Sequence, residues 1–530
     1  MGRCWTCKKR RLKCDGGVPY CQKCWGHGVE CLGYKKPLTW VKGVARRGPM
    51  KNRTFGESEQ QSQSFSGWNA LSTCQGYHYP AQASILWPTS FSMPMTLTEP
   101  LFKDLGNIPR FFIDYFSKRV CGSLVFQDNP ENPYRKIILW IRSPMVATAI
   151  VTVAACHYIQ GLTGSTLPGL PPPATDQAPP LITPKSDIAG LTTSERALIN
   201  YYLRSKELSL NLVSSHLTMH HSRAGDNAGV IAIVLLAVLD IFESGSGAWN
   251  VHLEGSKKLI EAGSINTSSV WDSSVEALLC EAATFQILGS SLAKPGALNS
   301  GSTLPATQIR TSSTVAPIGC PVAILSAIQT FALKRRVNAM LALQIADVEY
   351  LKDTLQRLRS YDIAAWAMDI PVNDSMVPYM DLIQLGNIWR LSAETYACHV
   401  LFNLTGDASI LQPSLVDDLI ARYTSLERED DNLLKCLIWP TFIAGAATIN
   451  RHRRPWILKT LDRIWHIGYC ANTRNAAMVL ETLWKKHDLI SSKNMPLHNN
   501  PVITGDLLVD QDAYNWLLEL SFLDGSWLFV

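Results

Sequence analysis

From about residue 105 onward, apolar side chains recur at spacings of three and four, the period of a helix with one buried face. Phe111, Phe112, Tyr115 and Phe116 open this pattern. Ser143 followed by Pro144 predicts a helix start, a capping hydroxyl with proline at the first helical position, leading into an apolar stretch that runs to Ile159. Further helices are predicted over residues 193–217, 227–243, 251–262, 269–288, 324–359, 381–403, 413–423, 433–450, 455–469 and 475–487. Seven prolines in residues 161–190, and a Gly/Ser/Thr/Pro stretch over 289–320, predict loops. No run alternates with period two, so residues 105–530 are expected to form a large all-α body.

Ahead of this body the pattern fades. Residues 54–104 are rich in Ser, Gln and Pro, as in GESEQQSQSFSG, and read as a flexible linker on which Trp68, Tyr77, Tyr79, Trp87 and Phe91 could dock. Between residues 32 and 105 there is no a/d heptad, so a homodimer, if formed, is expected to use the body and not a coiled coil. The longest uncharged apolar runs, 145–156 and 228–239, are twelve residues each and read as too short to span a bilayer.

The head, residues 1–34, is different in kind. Its cysteines stand at Cys4, Cys7, Cys14, Cys21, Cys24 and Cys31, one Cys-x2-Cys-x6-Cys unit written twice at an offset of seventeen. Two tetrahedral zinc ions need eight thiolate bonds, and six cysteines supply eight only if two of them bind both metals. Cys4 and Cys21, the first of each unit, are the expected bridges. A disulfide framework also uses an even number of cysteines, but it belongs to secreted domains, and no signal-type stretch stands ahead of Cys4.

The two halves differ in charge. Between Cys7 and Cys14 lie Lys8, Lys9, Arg10, Arg11, Leu12 and Lys13, whereas Trp25, Gly26, His27, Gly28, Val29 and Glu30 separate Cys24 from Cys31. Only the first half suits a polyanion. Residues 8–14 are good helix formers, and a short helix pinned at both cysteines would present its cations to double-stranded DNA. Arg10 and Arg11 are expected at base edges, where a guanidinium meets guanine O6 and N7; Lys8, Lys9 and Lys13 are expected on phosphates.

Composition agrees with this division. Residues 1–53 hold fourteen Lys or Arg against Asp15 and Glu30, a balance of plus twelve, so with plus five over all 530 residues, residues 54–530 carry minus seven. A basic head on a mildly acidic body suits a DNA binder whose bulk does not itself cling to DNA. Residues 35–53 extend the basic run and could also serve as a nuclear localisation signal. The remaining eight cysteines show no second Cys-x2-Cys and read as reduced thiols of a nuclear or cytosolic protein.

The head resembles the Zn2Cys6 binuclear cluster of fungal transcription factors. That resemblance implies two Zn2+, one held by Cys4, Cys7, Cys14 and Cys21 and the other by Cys4, Cys21, Cys24 and Cys31, with Cys4 and Cys21 bridging. It also implies a proline, often cis, in the loop between the halves, where Pro19 stands, and a CGG-type triplet as half-site. The stretches DNPENPYRKIILWIRSPMVATAIVTVAACH, WNVHLEGSKKLI and WPTFIAGAATINRHRRPWILKTL resemble the fungal-specific transcription factor domain over residues 105–530. The fold class implied is a small zinc-cluster module joined by a flexible linker to a large all-α regulatory domain. The expected function is sequence-specific activation of RNA polymerase II transcription in the nucleus. A secondary-metabolite gene cluster is the expected target, with drug resistance or amino-acid metabolism as the alternative and a zinc-dependent protein scaffold as the non-DNA rival. Coactivators and a small-molecule effector are the further partners implied.

Trp249, His252, Trp439 and Trp456 read first as core residues of helix pairs. Residues 505–530 combine five acids with Leu, Trp and Phe and no Lys or Arg, which suits either a transactivation segment or a closing helix. Phosphate loops, nucleophile elbows and paired-histidine zinc motifs are absent from the sequence; Asp417-Asp418 and Asp430-Asp431 lack a third aspartate spaced for magnesium, and His220-His221 has no nearby carboxylate. The chain is therefore not expected to be an enzyme.

Overall fold

Helix starts in the body are set by side chains that satisfy the unpaired N–H groups of the first turn. Ahead of the helix Thr193–Met219, the Glu195 carboxylate accepts from the Thr192 N–H at 2.7 Å while Thr192 Oγ1 accepts from the Glu195 N–H at 3.2 Å. Asp226, Asp272 and Asn515 each accept from a backbone N–H at the start of the helices Asn227–Glu243, Ser273–Leu292 and Trp516–Phe522. The structure, a computed structural model, describes residues 4–15, 21–26, 31, 105–163, 192–219, 226–246, 249–264, 272–294, 318–335, 345–370, 377–426, 431–448, 450–493, 514–523, 525 and 527–530. It divides into two units, Met1–Phe65 and Ser66–Val530.

Among the described residues the larger unit is built from helices, with one isolated antiparallel bridge between Ser246 and Trp527 and no strand. The helix Asn227–Glu243 is buried at every position from Gly229 onward. Pro144–Thr163 and Trp249–Ser264 pack along it, and Thr193–Met219 lies against Pro144–Thr163. The helix Tyr379–Thr405 gathers Ser414–Leu426, Val322–Lys334, Ile345–Arg359 and Ile438–Ala446 around itself. One continuous hydrophobic core joins both groups.

Several boundaries differ from the sequence pattern, each for a local reason. The helix expected over 324–359 is two, Val322–Lys334 and Ile345–Arg359. The first ends where Arg335 turns extended and buries its guanidinium, which donates to the carbonyls of Ser291 at 2.6 Å and Leu517 at 3.3 Å. The segment expected to be helical over 433–450 is a 3-10 turn, Asp431–Leu437, followed by a short α-helix, Ile438–Ala446. The expected linker 54–104, the basic extension 35–53, and most of the loops near 161–190 and 289–320 lie outside the described residues.

The reading of the first apolar run as too short needs correction. Uncharged residues on both flanks lengthen the first run, so that Pro144–Leu162 is long and apolar enough to cross a membrane by length and composition. In the fold, 83% of its 18-residue apolar window is buried, packed against neighbouring helices.

The loop expected from residue 289 begins later, because Ser273–Leu292 continues through Gly289. There the Trp249 ring crosses the helix so closely that a Cβ on Gly289 would stand 2.2 Å from it. Gly289→Ala is therefore expected to destabilise the body by about 1–3 kcal/mol through overpacking, despite alanine's better helix propensity. Urea unfolding followed by circular dichroism measures this, and an unchanged or higher midpoint would show that the ring has room to move.

Trp249, His252, Trp439 and Trp456 all take packing roles. Trp439 stacks on Trp389 with centroids 5.7 Å apart and donates its Nε1–H to Ser291 Oγ at 2.9 Å. Trp456 meets the edge of Tyr423 at 5.3 Å. His252 Nε2 lies 3.3 Å from the Asp240 carboxylate, and burial lowers the His252 pKa to about 4. Of the acidic pairs, Asp417 is joined to Arg453, and His220, His221 and Asp430 lie outside the described residues. Of residues 505–530, the described ones supply the closing helix Trp516–Phe522, with Trp516, Trp527, Leu528 and Phe529 buried in the core, as the closing-helix reading expects. Asp506, Asp510, Asp512 and Asp524, four of the five acids of the activation-segment reading, lie outside the described residues.

Candidate metal centre and nucleic-acid interface

Each Cys-x2-Cys opens a single helical turn in which the first sulfur caps the second cysteine. In the first repeat Cys4 Sγ accepts from the Cys7 N–H at 3.3 Å as the helix Trp5–Lys9 begins. In the second, Cys21 Sγ accepts from the Cys24 N–H at 3.3 Å beside the helix Gln22–Gly26. The same spacing thus produces the same local structure twice. Such N–H donors lower the free energy of a thiolate, as a charge-assisted bond does at any helix N-terminus.

The six sulfurs converge. Cys4, Cys7, Cys14 and Cys21 form one set whose Sγ atoms all lie within 4.8 Å of one another, and Cys4, Cys21, Cys24 and Cys31 form another. Cys4 and Cys21 belong to both and stand 3.6 Å apart. Cys7 to Cys21 is 3.6 Å and Cys4 to Cys24 is 3.8 Å. Tetrahedral zinc with Zn–S bonds of about 2.3 Å sets neighbouring sulfurs about 3.8 Å apart, so the donor set fits that ion. The terminal pair Cys7 and Cys24 also approach to 3.8 Å, which makes the four buried sulfurs a single quartet. Burial pushes the thiols of Cys4, Cys7, Cys21 and Cys24 above their usual pKa range, so a cation is what makes thiolate favourable here.

The basic run is displaced from the helix expected over residues 8–14. The helix is Trp5–Lys9, Arg10 is its C-cap, and Arg11 has a left-handed backbone with φ 55°. The chain has to leave the helix at this point for Cys14 to return to the sulfur quartet, where Cys14 Sγ accepts from the Cys4 N–H at 3.4 Å. Lys8, Lys9, Arg10, Arg11 and Lys13 are all exposed. Lys8 Nζ lies 4.4 Å over the Trp5 ring. Pro19 falls outside the described residues.

Sequence reasoning counted Asp15 only as one of the two acids of residues 1–53 and missed its place. Its carboxylate accepts from the N–H groups of Gln22 at 2.8 Å and Lys23 at 3.1 Å, capping the second helix from the end of the first half. An acid directly after the third cysteine and ahead of the second repeat was the available signal.

Residues 3–41 match the fungal Zn(2)-Cys(6) binuclear cluster domain, and residues 110–510 match the fungal specific transcription factor domain. The acriflavine sensitivity control protein acr-2 of Neurospora crassa is 23% identical over 637 residues, covering 99% of this chain and 96% of the relative. Over the head alone, the pestheic acid cluster transcriptional regulator 3 of Pestalotiopsis fici is 45% identical over 40 residues, 8% of this chain and 7% of the relative. The arginine metabolism regulation protein II of Saccharomyces cerevisiae is 46% identical over 39 residues, 7% of this chain and 4% of the relative. No solved structure matches the chain. A zinc-cluster head that holds two zinc ions, followed by a helical domain matched over most of its length, places the chain in the fungal Zn2Cys6 transcription factors, DNA-binding regulators of transcription and not enzymes.

Proposed function

We propose that the basic half of the head reads a CGG-type triplet in the major groove. Arg10 and Arg11 reach guanine O6 and N7, while Lys8, Lys9 and Lys13 grip flanking phosphates. Cys4, Cys7, Cys14 and Cys21 hold one zinc, Cys4, Cys21, Cys24 and Cys31 the other, and Cys4 and Cys21 bridge. Residues 35–53 follow the DNA backbone or direct import to the nucleus, and Pro19 turns the loop between the halves. The supporting observation is that five exposed cations occupy one short segment pinned between Cys7 and Cys14, whose sulfurs belong to one set of four. The ions hold that segment rigid, so recognition depends on metal.

Arg11→Ala is expected to cost about 1–3 kcal/mol on a CGG duplex and to relax preference for the triplet. Fluorescence anisotropy on cognate and scrambled duplexes measures both; equal weakening on all sequences would assign Arg11 to phosphate. With about five phosphates contacted, log affinity should fall with log salt at a slope near −4.5, whereas a protein-binding scaffold shows no such dependence on DNA.

The body acts as activator and regulator, recruiting coactivators through a surface that does not include the buried Trp516, Trp527, Leu528 and Phe529. A homodimer would form through the body. For the targets, the full-length likeness to a drug-sensitivity control protein favours drug response, since the likeness to a biosynthetic-cluster regulator covers the head alone. Genome-wide mapping of bound promoters decides between transporter or detoxification genes and a secondary-metabolite cluster.

A further inference from the structure

The two Cys-x2-Cys pairs of the head face each other, with residues 8–20 between them in the chain. Their four sulfurs close a tetrahedron. Across the pairs, Cys4 to Cys21 and Cys7 to Cys21 are 3.6 Å, and Cys4 to Cys24 and Cys7 to Cys24 are 3.8 Å. Within the pairs, the sulfurs of Cys4 and Cys7 lie within 4.8 Å of each other, as do those of Cys21 and Cys24. One zinc with four Zn–S bonds of about 2.3 Å sets its sulfurs about 3.8 Å apart.

The distance between Cys7 and Cys24 is decisive. In the two-ion cluster these cysteines serve different metals. Two tetrahedra that share the Cys4–Cys21 edge splay their remaining sulfurs outward, so even the nearer terminal sulfurs of the two ions stand about 5–6 Å apart. Cys7 and Cys24 stand at 3.8 Å, the spacing of two sulfurs on one ion. Burial sorts the cysteines in the same way: Cys4, Cys7, Cys21 and Cys24 are at most 2% exposed, whereas Cys14 and Cys31 are half-buried. Local structure agrees as well. The first sulfur of each pair accepts from the N–H of the second cysteine, while Cys14 lies beyond the left-handed turn at Arg11. Four cysteines in two Cys-x2-Cys pairs are also a common donor set for a single structural zinc.

We propose that the head takes its first zinc in this quartet, Cys4, Cys7, Cys21 and Cys24, and converts to the two-ion cluster when a second zinc arrives. In the first step four S–H bonds give way to four Zn–S bonds, and four protons pass to solvent. In the second, Cys14 and Cys31 give up their protons and become ligands, Cys7 and Cys24 part to separate ions, and Cys4 and Cys21 come to be shared. The end state rests on the ligation proposed above; the first state does not. Cys14 closes the basic segment, so that segment is held by metal at both ends only after the second step.

The test uses the full chain, freed of metal under reducing conditions and then given one and two equivalents of zinc, with no DNA present. Each stage is treated with N-ethylmaleimide, and the labelled cysteines are mapped by mass spectrometry. At one equivalent Cys14 and Cys31 are expected to stay reactive while Cys4, Cys7, Cys21 and Cys24 slow by about tenfold or more; at two equivalents all six are protected. Protection of Cys14 or Cys31 at one equivalent, with Cys24 or Cys7 left reactive, would overturn the proposal, as would half-protection of all six. Paired substitutions give a second readout with Co2+, whose visible absorption reports how many sulfurs surround it. Cys14→Ala with Cys31→Ala leaves the quartet whole and should bind one equivalent with a four-sulfur spectrum, whereas Cys7→Ala with Cys24→Ala should not. In the two-ion cluster each pair of substitutions removes one ligand from each metal, so like behaviour of the two variants would also refute the quartet. Because DNA takes no part, none of these outcomes touches the reading of the triplet, and loss of triplet recognition would leave the zinc result standing.

Discussion

Replacing Cys21 by alanine is expected to strip the head of both zinc ions and unfold it. Cys21 Sγ belongs to both sulfur sets, so its loss removes two of eight metal bonds and leaves three cysteines for each ion. It also removes the acceptor of the Cys24 N–H and one of the four sulfurs of the buried quartet. In zinc-finger peptides, structural zinc contributes about 10–16 kcal/mol at neutral pH, and metal binding is inseparable from folding. DNA binding should fall below detection, while the helical body, a separate unit, keeps its circular dichroism. Cys31→Ala offers the contrast: Cys31 appears in one set alone, so one ion should be retained. Elemental analysis of the purified variants gives the answer, and a Cys21→Ala protein that carries two equivalents of zinc would refute shared ligation.

Arg335→Met is expected to give the largest loss of stability in the body, about 2–5 kcal/mol. The side chain is 5% exposed and, among the described residues, no carboxylate pairs with it. Its charge is spread over oxygens: the Ser291 carbonyl in the last turn of one helix, and the Leu517 carbonyl and Ser521 Oγ at 3.1 Å in the closing helix. Burial lowers its pKa, and the neighbouring Tyr396 works against that shift. Methionine would fill the volume and take the guanidinium donor from the Ser291 carbonyl, while the Leu517 carbonyl keeps the Ser521 hydroxyl at 2.8 Å. Lysine restores a cation without the planar fork, so Arg335→Lys should recover part of the loss. Denaturant unfolding of the three proteins tests the ranking, and a methionine variant within about 0.5 kcal/mol of the parent would show that relaxation or water replaces the guanidinium.

The head was legible in the sequence because its constraint is arithmetic. Two fixed cysteine spacings, written twice, leave few ways to complete two tetrahedra. What could not be read there was the route of the chain between ligands. Good helix formers suggested a helix over residues 8–14, but Cys14 has to come back to the quartet, and tertiary closure overrides propensity at Arg11. The body followed its apolar period wherever one face was buried. It departed at Arg335, where a charged residue lies inside the core, and at Gly289, where a distant tryptophan needs the backbone bare. Both depend on partners more than thirty residues away, beyond the reach of any local pattern.

Residues 527–530 complete the core from the far end of the chain. Phe529 meets Phe442 at 4.6 Å, the Leu528 N–H donates to the Gly245 carbonyl at 2.8 Å, and Asn472 Nδ2 donates to the Val530 carbonyl at 3.0 Å. During synthesis, then, the regulatory half cannot close until residues 527–530 have been translated, whereas the metal module is available for loading hundreds of residues earlier. A nonsense change between the head and Trp527 would release a polypeptide with a competent operator-reading end and an unfinished interior, a natural starting point for a dominant-negative allele.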